Sequence, residues 1–426
     1  NCDVVIVGSG VAGLICALSL DKKFKIILLT KKKLKDSNSY LAQGGISVCR
    51  GKEDREEYIE DTLIAGHYKN NKEAVEILVD ESEEAIKTLI ENGVKFTGDK
   101  KGLFYTREGG HRKFRILYCE DQTGKYIMES LIEKILERDN LKIIEDCEFL
   151  DIIEKENNCL GILAKKEEIF AIKSKFTVLA TGGLGGIYKN TTNFSHIKGD
   201  GIAVAIRHNI ELKDISYIQI HPTTFYTMGN ERKFLISESV RGEGAILLNQ
   251  KLERFTDELK PRDKVTKAIL EEMKKDKSEY EWLDFSTINL DIKERFPNIY
   301  NHLMKKGINP LKDKVPVVPA QHYTMGGIKV DINSKTSMKN LYAIGEVACT
   351  GVHGQNRLAS NSLLESVVFA KRASQSIIDE NNISVYNNIT DDIFKNIVDK
   401  ILLTDEKENK NIIMQRIKED ELEKNR

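Results

Sequence analysis

Residues 4–13, VVIVGSGVAG, constrain the fold more than any other stretch of the chain. An apolar run of strand length ends in glycines at 8, 10 and 13, the G-x-G-x-x-G spacing of a dinucleotide turn. Gly8 permits the tight turn, Gly10 lets the backbone approach a pyrophosphate, and Gly13 lets the helix pack close to the strand. The helix that follows turns free N–H groups and a positive dipole end toward the phosphates. Residues 2–31 therefore read as strand, glycine turn, helix, strand. A ribose-binding acid is usual at the end of the second strand, but this chain has Leu29-Thr30-Lys31 there. A lysine suits a phosphate- or carboxylate-bearing neighbour and argues against a plain NAD dehydrogenase.

The 426 residues carry 65 Lys+Arg against 66 Asp+Glu. A net charge of -1 gives no global field for holding nucleic acid or a membrane surface. No apolar run approaches the roughly 18 residues that span a bilayer, and no leader-like segment precedes the first strand. Seven scattered cysteines form no C-x-x-C pair, so no metal site is signalled and reduced thiols of a cytoplasmic protein are expected.

Helical periodicity covers 54–66 and 71–92. The second stretch sets Val75, Leu78, Val79, Ile86, Leu89 and Ile90 on one side, with Gly93 as the stop. Another helix spans 124–138, short strands and hairpins fill 141–180, and a helix lies near 199–208. NLYAIGEVACTG, 340–351, reads as a further buried strand of the first domain. The fold class is α/β: a discontinuous Rossmann-like domain (1–214 and 324–389), an inserted α+β capping domain (215–323) and a short helical tail (390–426).

Further segments add a pattern: SNSYLAQGG (37–45), ATGG (180–183), KGDG (198–201), HPTTFY (221–226), RGEG (241–244), PRD (261–263), QHYTMGG (321–327), AIGE (343–346) and NRLASNSLLE (356–365). Their order and spacing resemble the succinate dehydrogenase/fumarate reductase flavoprotein superfamily over roughly residues 2–380, and within it the branch that oxidises L-aspartate. The resemblance implies an FAD-binding domain. Gly8, Ser9, Gly10, Val11, Ala12 and Gly13 would lie at the pyrophosphate turn and Lys31 at the second strand. Asn38, Ser39, Tyr40, Leu41, Ala42, Gln43, Gly44 and Gly45 would line the flavin ring. Thr181, Gly182, Asp200, Glu346, Ser362 and Leu363 would complete the pocket. Where membrane-bound members link flavin covalently to a histidine this chain has Asn38, which implies non-covalent FAD.

A dicarboxylate needs clamps at both ends, and a guanidinium can grip a carboxylate with two parallel bonds. The resemblance assigns clamping to Arg357, His221 and His322, read as three cationic candidates, with Ser237 and Glu238 as a hydroxyl–acid pair. It assigns proton transfer to Arg262. Because arginine ordinarily keeps its charge, proton relay and purely electrostatic roles both stay open. Pro261 reads as the first helical residue, with Asp263 as a local partner for Arg262. Glu108, within TREGGHRKFR (106–115), is the acid that would orient a substrate ammonium; without the resemblance that segment reads as a solvated, mobile basic loop.

The implied reaction is oxidation of L-aspartate to iminoaspartate for quinolinate synthase, the first step of NAD biosynthesis, with O2 or fumarate as acceptor. Two alternatives remain at this point. One is a fumarate reductase or succinate dehydrogenase flavoprotein acting on fumarate or succinate. The other is a non-catalytic flavin-binding protein that docks RNA or a partner through the basic 107–115 segment.

Overall fold

The computed structural model describes residues 1–229, 231–381 and 406–425. Its central sheet runs parallel in the order Leu141–Ile144, Ile26–Leu29, Cys2–Val7, Ile169–Leu179, Leu341–Ala343. The strand Ile169–Leu179 is long enough to leave this sheet and pair antiparallel with Asn158–Lys165, which pairs in turn with Glu148–Lys155.

Strand alternation explains why CDVVIV is apolar on both faces. Val4 and Ile6 enter one core with the helices Val11–Ser19, Thr123–Leu136 and Asn361–Glu380. Val5 and Val7 enter the opposite core, with the antiparallel strands and the helix Asp200–Arg207. Gly8 sits at φ 115°, and a Cβ there would lie 2.1 Å from the Ala180 carbonyl oxygen, so the turn admits no side chain.

Between the strands Ile218–Phe225 and Val315–Thr324 the chain builds a separate layer. These two pair antiparallel, and Glu281–Asp284 and Ile246–Leu248 extend them to four strands. The helix Arg262–Asp276 packs on this sheet, contributing Val265 and Ile269 to a third apolar core that also holds Phe225, Leu247, Phe285 and Phe296.

The helical stretch at 71–92 is in fact two helices, Lys72–Asp80 and Ser82–Glu91. Ser82 explains the break: its fully buried hydroxyl donates to the Val79 carbonyl and accepts from the Cys49 N–H. Side-chain bonds of this kind compete with the helical ladder. Ile90 is 45% exposed and leaves the apolar face that periodicity assigned to it. The helix at 262 begins one residue later than expected, with Pro261 as its N-cap.

Of the tail, 390–405 and 426 lie outside the described residues. The helix Glu406–Lys424 docks on the second core through Ile413 and Ile417. Its far end holds the chain where the four-stranded layer begins. Asp420 accepts from the Ser216 N–H at 2.9 Å, and Lys424 pairs with Asp214 at 3.0 Å over the Tyr217 ring.

Candidate active site

One cavity, of about 370 Å³, runs from the Gly8 turn to the four-stranded layer. Every candidate site residue from the sequence lines it except Val11 and Gly13. Val11 is the first residue of a buried helix, and its N–H points to the Ser39 hydroxyl at 3.2 Å. A Cβ on Gly13 would lie 2.1 Å from the Gly8 carbonyl oxygen, so this glycine serves helix–strand packing.

The long arm of the cavity follows the turn, the Asn38–Leu41 3₁₀ turn and the Gln43–Gly45 segment. Lys31 lies there in contact with Asp200 and Glu148, both at 3.2 Å. Burial opposes the lysine charge, but these two carboxylates outweigh it and raise the lysine above its ordinary pKa. Four buried wall atoms have no partner within the protein: Asn38 Nδ2, Gln43 Oε1, Thr181 Oγ1 and Asn193 Oδ1. Buried polar atoms are rarely left unpaired, so this set of donors and acceptors fits a polar ligand lying along the arm, as FAD would. Glu346, which accepts from the Thr324 N–H at 2.9 Å, is pushed up to about 7 by burial.

At the inner end the two layers meet. The nucleotide layer supplies Glu108, Ser360 and Arg357; the four-stranded layer supplies His221, Ser237, Glu238, Arg262 and His322. Gln219, which the motif reading missed, joins the two arginines. Its Oε1 accepts from Arg262 Nη1 at 2.9 Å and Arg357 Nε at 3.2 Å. Its Nε2 is held by Asn356 Oδ1 and the Arg357 carbonyl, both at 2.9 Å. The signal that could have found it is a glutamine two positions before His221, on the same face of one strand.

Arg262 is paired with Glu238 at 2.5 Å and not with Asp263, which lies 3.8 Å from Lys264 and 3.9 Å from His67. Burial favours neutral Glu238, but Arg262 and Arg241 outweigh it and hold the carboxyl below its ordinary range. Arg241 donates to the Glu258 carbonyl, and the Glu258 carboxylate is paired with Arg254 at 2.5 Å. Arg241 also lies 3.9 Å from Glu238, and the side chain of Arg254 is 55% exposed.

The two histidines are not cations. Their rings stand edge to face at 5.3 Å. Burial, reinforced by Arg262 and Arg357, drives both well below the ordinary histidine range. His221 Nδ1 is engaged by Thr223 and His322 Nδ1 by the Thr192 hydroxyl at 2.8 Å, which leaves each Nε2 for a ligand. Arg357 donates to Ser362 at 3.0 Å and stacks 4.8 Å from the centre of the Tyr323 ring.

Glu108 does not belong to a solvated loop: it is 7% exposed. Its Oε2 accepts from Ser360 at 2.7 Å and its Oε1 from Ser239 at 3.4 Å. Burial raises it above the usual carboxylate range. Three of the four Lys and Arg residues of the segment are paired within the protein, Arg115 with Asp54 and Asp61, Arg112 with Asp61, and Lys113 with Glu57, while Arg107 lies over the Phe114 ring. The basic patch on which an RNA-docking protein would rely is therefore largely neutralised.

Residues 3–363 match the FAD binding domain family. An L-aspartate oxidase of Clostridium perfringens is 55% identical over 378 residues, covering 88% of this chain and 86% of that relative. An L-aspartate oxidase of Neisseria meningitidis is 43% identical, covering 89% and 78%. Among solved structures, a point mutant of an E. coli quinol fumarate reductase FrdA superposes with a TM-score of 0.86 at 29% identity, covering 94% of this chain and 73% of that one.

Proposed function

The chain belongs to the L-aspartate oxidase family of FAD-dependent oxidoreductases, and from that premise we infer that it oxidises L-aspartate to iminoaspartate. The observation that carries the reading is the composition of the inner cavity: two guanidiniums, two neutral imidazoles and two buried carboxylates, of which Glu238 is paired with Arg262 while Glu108 has only serine hydroxyls as partners. Two anionic ends and one ammonium call for that combination of charges; succinate would need no carboxylate.

When bound, FAD supplies the two-electron acceptor for the hydride. In L-aspartate the C2–H bond breaks with its electron pair leaving as hydride, an N–H bond breaks with its proton leaving, and a C2=N bond forms. Arg357 grips one carboxylate with its fork. His221 and His322 donate through Nε2 to the other, assisted by the Ser237 hydroxyl. Glu108 accepts from the ammonium and so orients C2 of the substrate in the cavity. Arg262 stabilises the charge, and its 2.5 Å pairing with the Glu238 carboxylate supports a role for that pair in taking up the proton. Residues 215–323 act as the cap that excludes water.

Asn38 cannot form a histidyl–flavin bond, so FAD is held without a covalent link. Fumarate fits the same two-carboxylate clamp and serves as an acceptor alongside O2; the likeness to a fumarate reductase supports this option. The product passes to quinolinate synthase in NAD biosynthesis. Among the described residues no helix is long and apolar enough to cross a membrane. All seven cysteines are free, as a reducing compartment keeps them, and we place the reaction in the cytoplasm.

The test is direct. Without oxygen, L-aspartate should bleach the flavin absorbance of the holoenzyme, while succinate should bleach it far more slowly. Equal bleaching by both, or by neither, would reject the assignment.

A further inference from the structure

Glu108 is a buried acid on a connecting segment, next to Glu238 and two arginines. Holding it in place requires more than its two serine contacts. Its carbonyl accepts from the His111 N–H at 3.2 Å, closing a turn over Gly109 and Gly110. The His111 ring then reaches back to the segment that carries Ser360. His111 Nε2 lies 2.9 Å from the Ala359 carbonyl oxygen, and Nδ1 lies 3.0 Å from Arg115 Nη1.

These partners settle the tautomer. A carbonyl only accepts and a guanidinium only donates, so Nε2 carries the hydrogen and Nδ1 the lone pair. Burial, with Arg115 adding to it, pushes the ring down to about 4, which keeps this neutral form across the working pH range. Arg115 is itself immobile. It is 0% exposed, paired with Asp54 at 2.7 Å and Asp61 at 2.6 Å, and stacked 4.8 Å from the Tyr58 ring centre. Ser360, on the other side, has φ 64°, a left-handed conformation that costs a non-glycine residue energy and persists only where neighbours enforce it. Its carbonyl is gripped by the N–H and hydroxyl of Ser47.

We propose that His111 is the positioning residue for Glu108: by bonding Ala359 and the Glu108 carbonyl together, it sets Glu108 against Ser360 and so fixes selectivity for an amino dicarboxylate over an unsubstituted one. The inference rests on the reading of Glu108 as the acid that receives the ammonium. His111 touches neither the cavity nor a substrate; it acts through its neighbours.

The holoenzyme should be compared as wild type, His111→Phe, His111→Gln, Glu108→Gln and the double variant His111→Phe/Glu108→Gln. The readouts are kcat/KM for L-aspartate oxidation and for fumarate reduction by reduced benzyl viologen. His111→Phe should lower the aspartate value at least tenfold and leave fumarate within threefold. It should add no further loss in the Glu108→Gln background. His111→Gln, whose amide can still donate toward Ala359, should recover most of the aspartate activity. If His111→Phe does not fold, His111→Asn, whose shorter amide does not reach the Ala359 carbonyl, supplies the same comparison, and an unchanged aspartate value there overturns the proposal. Equal losses on both substrates, or additive losses in the double variant, also overturn it. If Glu108→Gln alone depresses both substrates equally, the reading of Glu108 fails, an outcome distinct from failure of the His111 link.

Discussion

Replacing Arg357 by methionine tests the electrostatic logic of the inner cavity. The guanidinium is buried and close to Arg262, which pulls it from its ordinary value down to about 10. At 1.36 kcal/mol per tenfold change, that is roughly 3 kcal/mol of stress in the ligand-free protein. A dicarboxylate makes two charge-assisted hydrogen bonds to this guanidinium, worth about 1.5–3 kcal/mol each. Methionine fills much of the same volume without the charge. Succinate binding, followed by perturbation of the flavin spectrum, should therefore weaken by about 3–6 kcal/mol, or roughly 10² to 10⁴ fold. The ligand-free enzyme should lose no stability and could gain up to roughly 3 kcal/mol, reduced by the contacts of Gln219 and Ser362 left behind. A succinate affinity within tenfold of wild type, or a large drop in the melting temperature of the ligand-free protein, would refute the reasoning.

Glu108→Gln should cost aspartate turnover about 10- to 150-fold, the equivalent of one charged hydrogen bond of about 1.5–3 kcal/mol, with fumarate reduction within threefold. Because burial raises Glu108, aspartate kcat/KM should begin to fall on the acid side at a pH above the usual carboxylate range, and the variant should lack that limb. Glu346 is raised to about 7, so the unfolded chain releases its proton first and stability falls as pH rises from about 4.5 to about 7. Glu346→Gln should recover about 3 kcal/mol of this at pH 8 in flavin-stripped protein, read by thermal melting at pH 5 and pH 8. Asp420→Ala removes the acceptor of the Ser216 N–H and hydroxyl. It should destabilise the protein by about 1.5–3 kcal/mol and speed hydrogen exchange at 214–218. Acid precipitation should leave all flavin in the supernatant; flavin retained in the pellet would contradict the non-covalent reading of Asn38.

How much of this was legible beforehand depended on the range over which each feature is decided. The strand–glycine–helix turn at 4–19 was readable because backbone sterics and a few neighbouring residues determine it. The strands of 141–180 were readable for the same reason. Motif order also grouped Glu108, His221, Arg262, His322 and Arg357, and the fold gathers them at one end of one cavity. What motif order could not supply was their state. His221 and His322, counted as cations, are neutral because burial and two nearby guanidiniums depress them. Arg262 took Glu238 as its partner over adjacent Asp263 because the strand and helix of one layer bring 238 and 262 together.

The chain's own order of residues was enough to specify a nucleotide-binding sheet and a glycine cradle, since these follow from local backbone preference and apolar alternation, while the candidate substrate side chains were legible only through the family resemblance. Tertiary structure alone decided which charges are buried, which are paired and which face one another. Gln219 binds arginines at 262 and 357, Ser47 holds the carbonyl of Ser360, and Arg115 is enclosed by carboxylates more than 50 residues before it in the chain. Such pairings depend on distance and dielectric in the folded chain, and neither quantity exists until the layers have closed on each other.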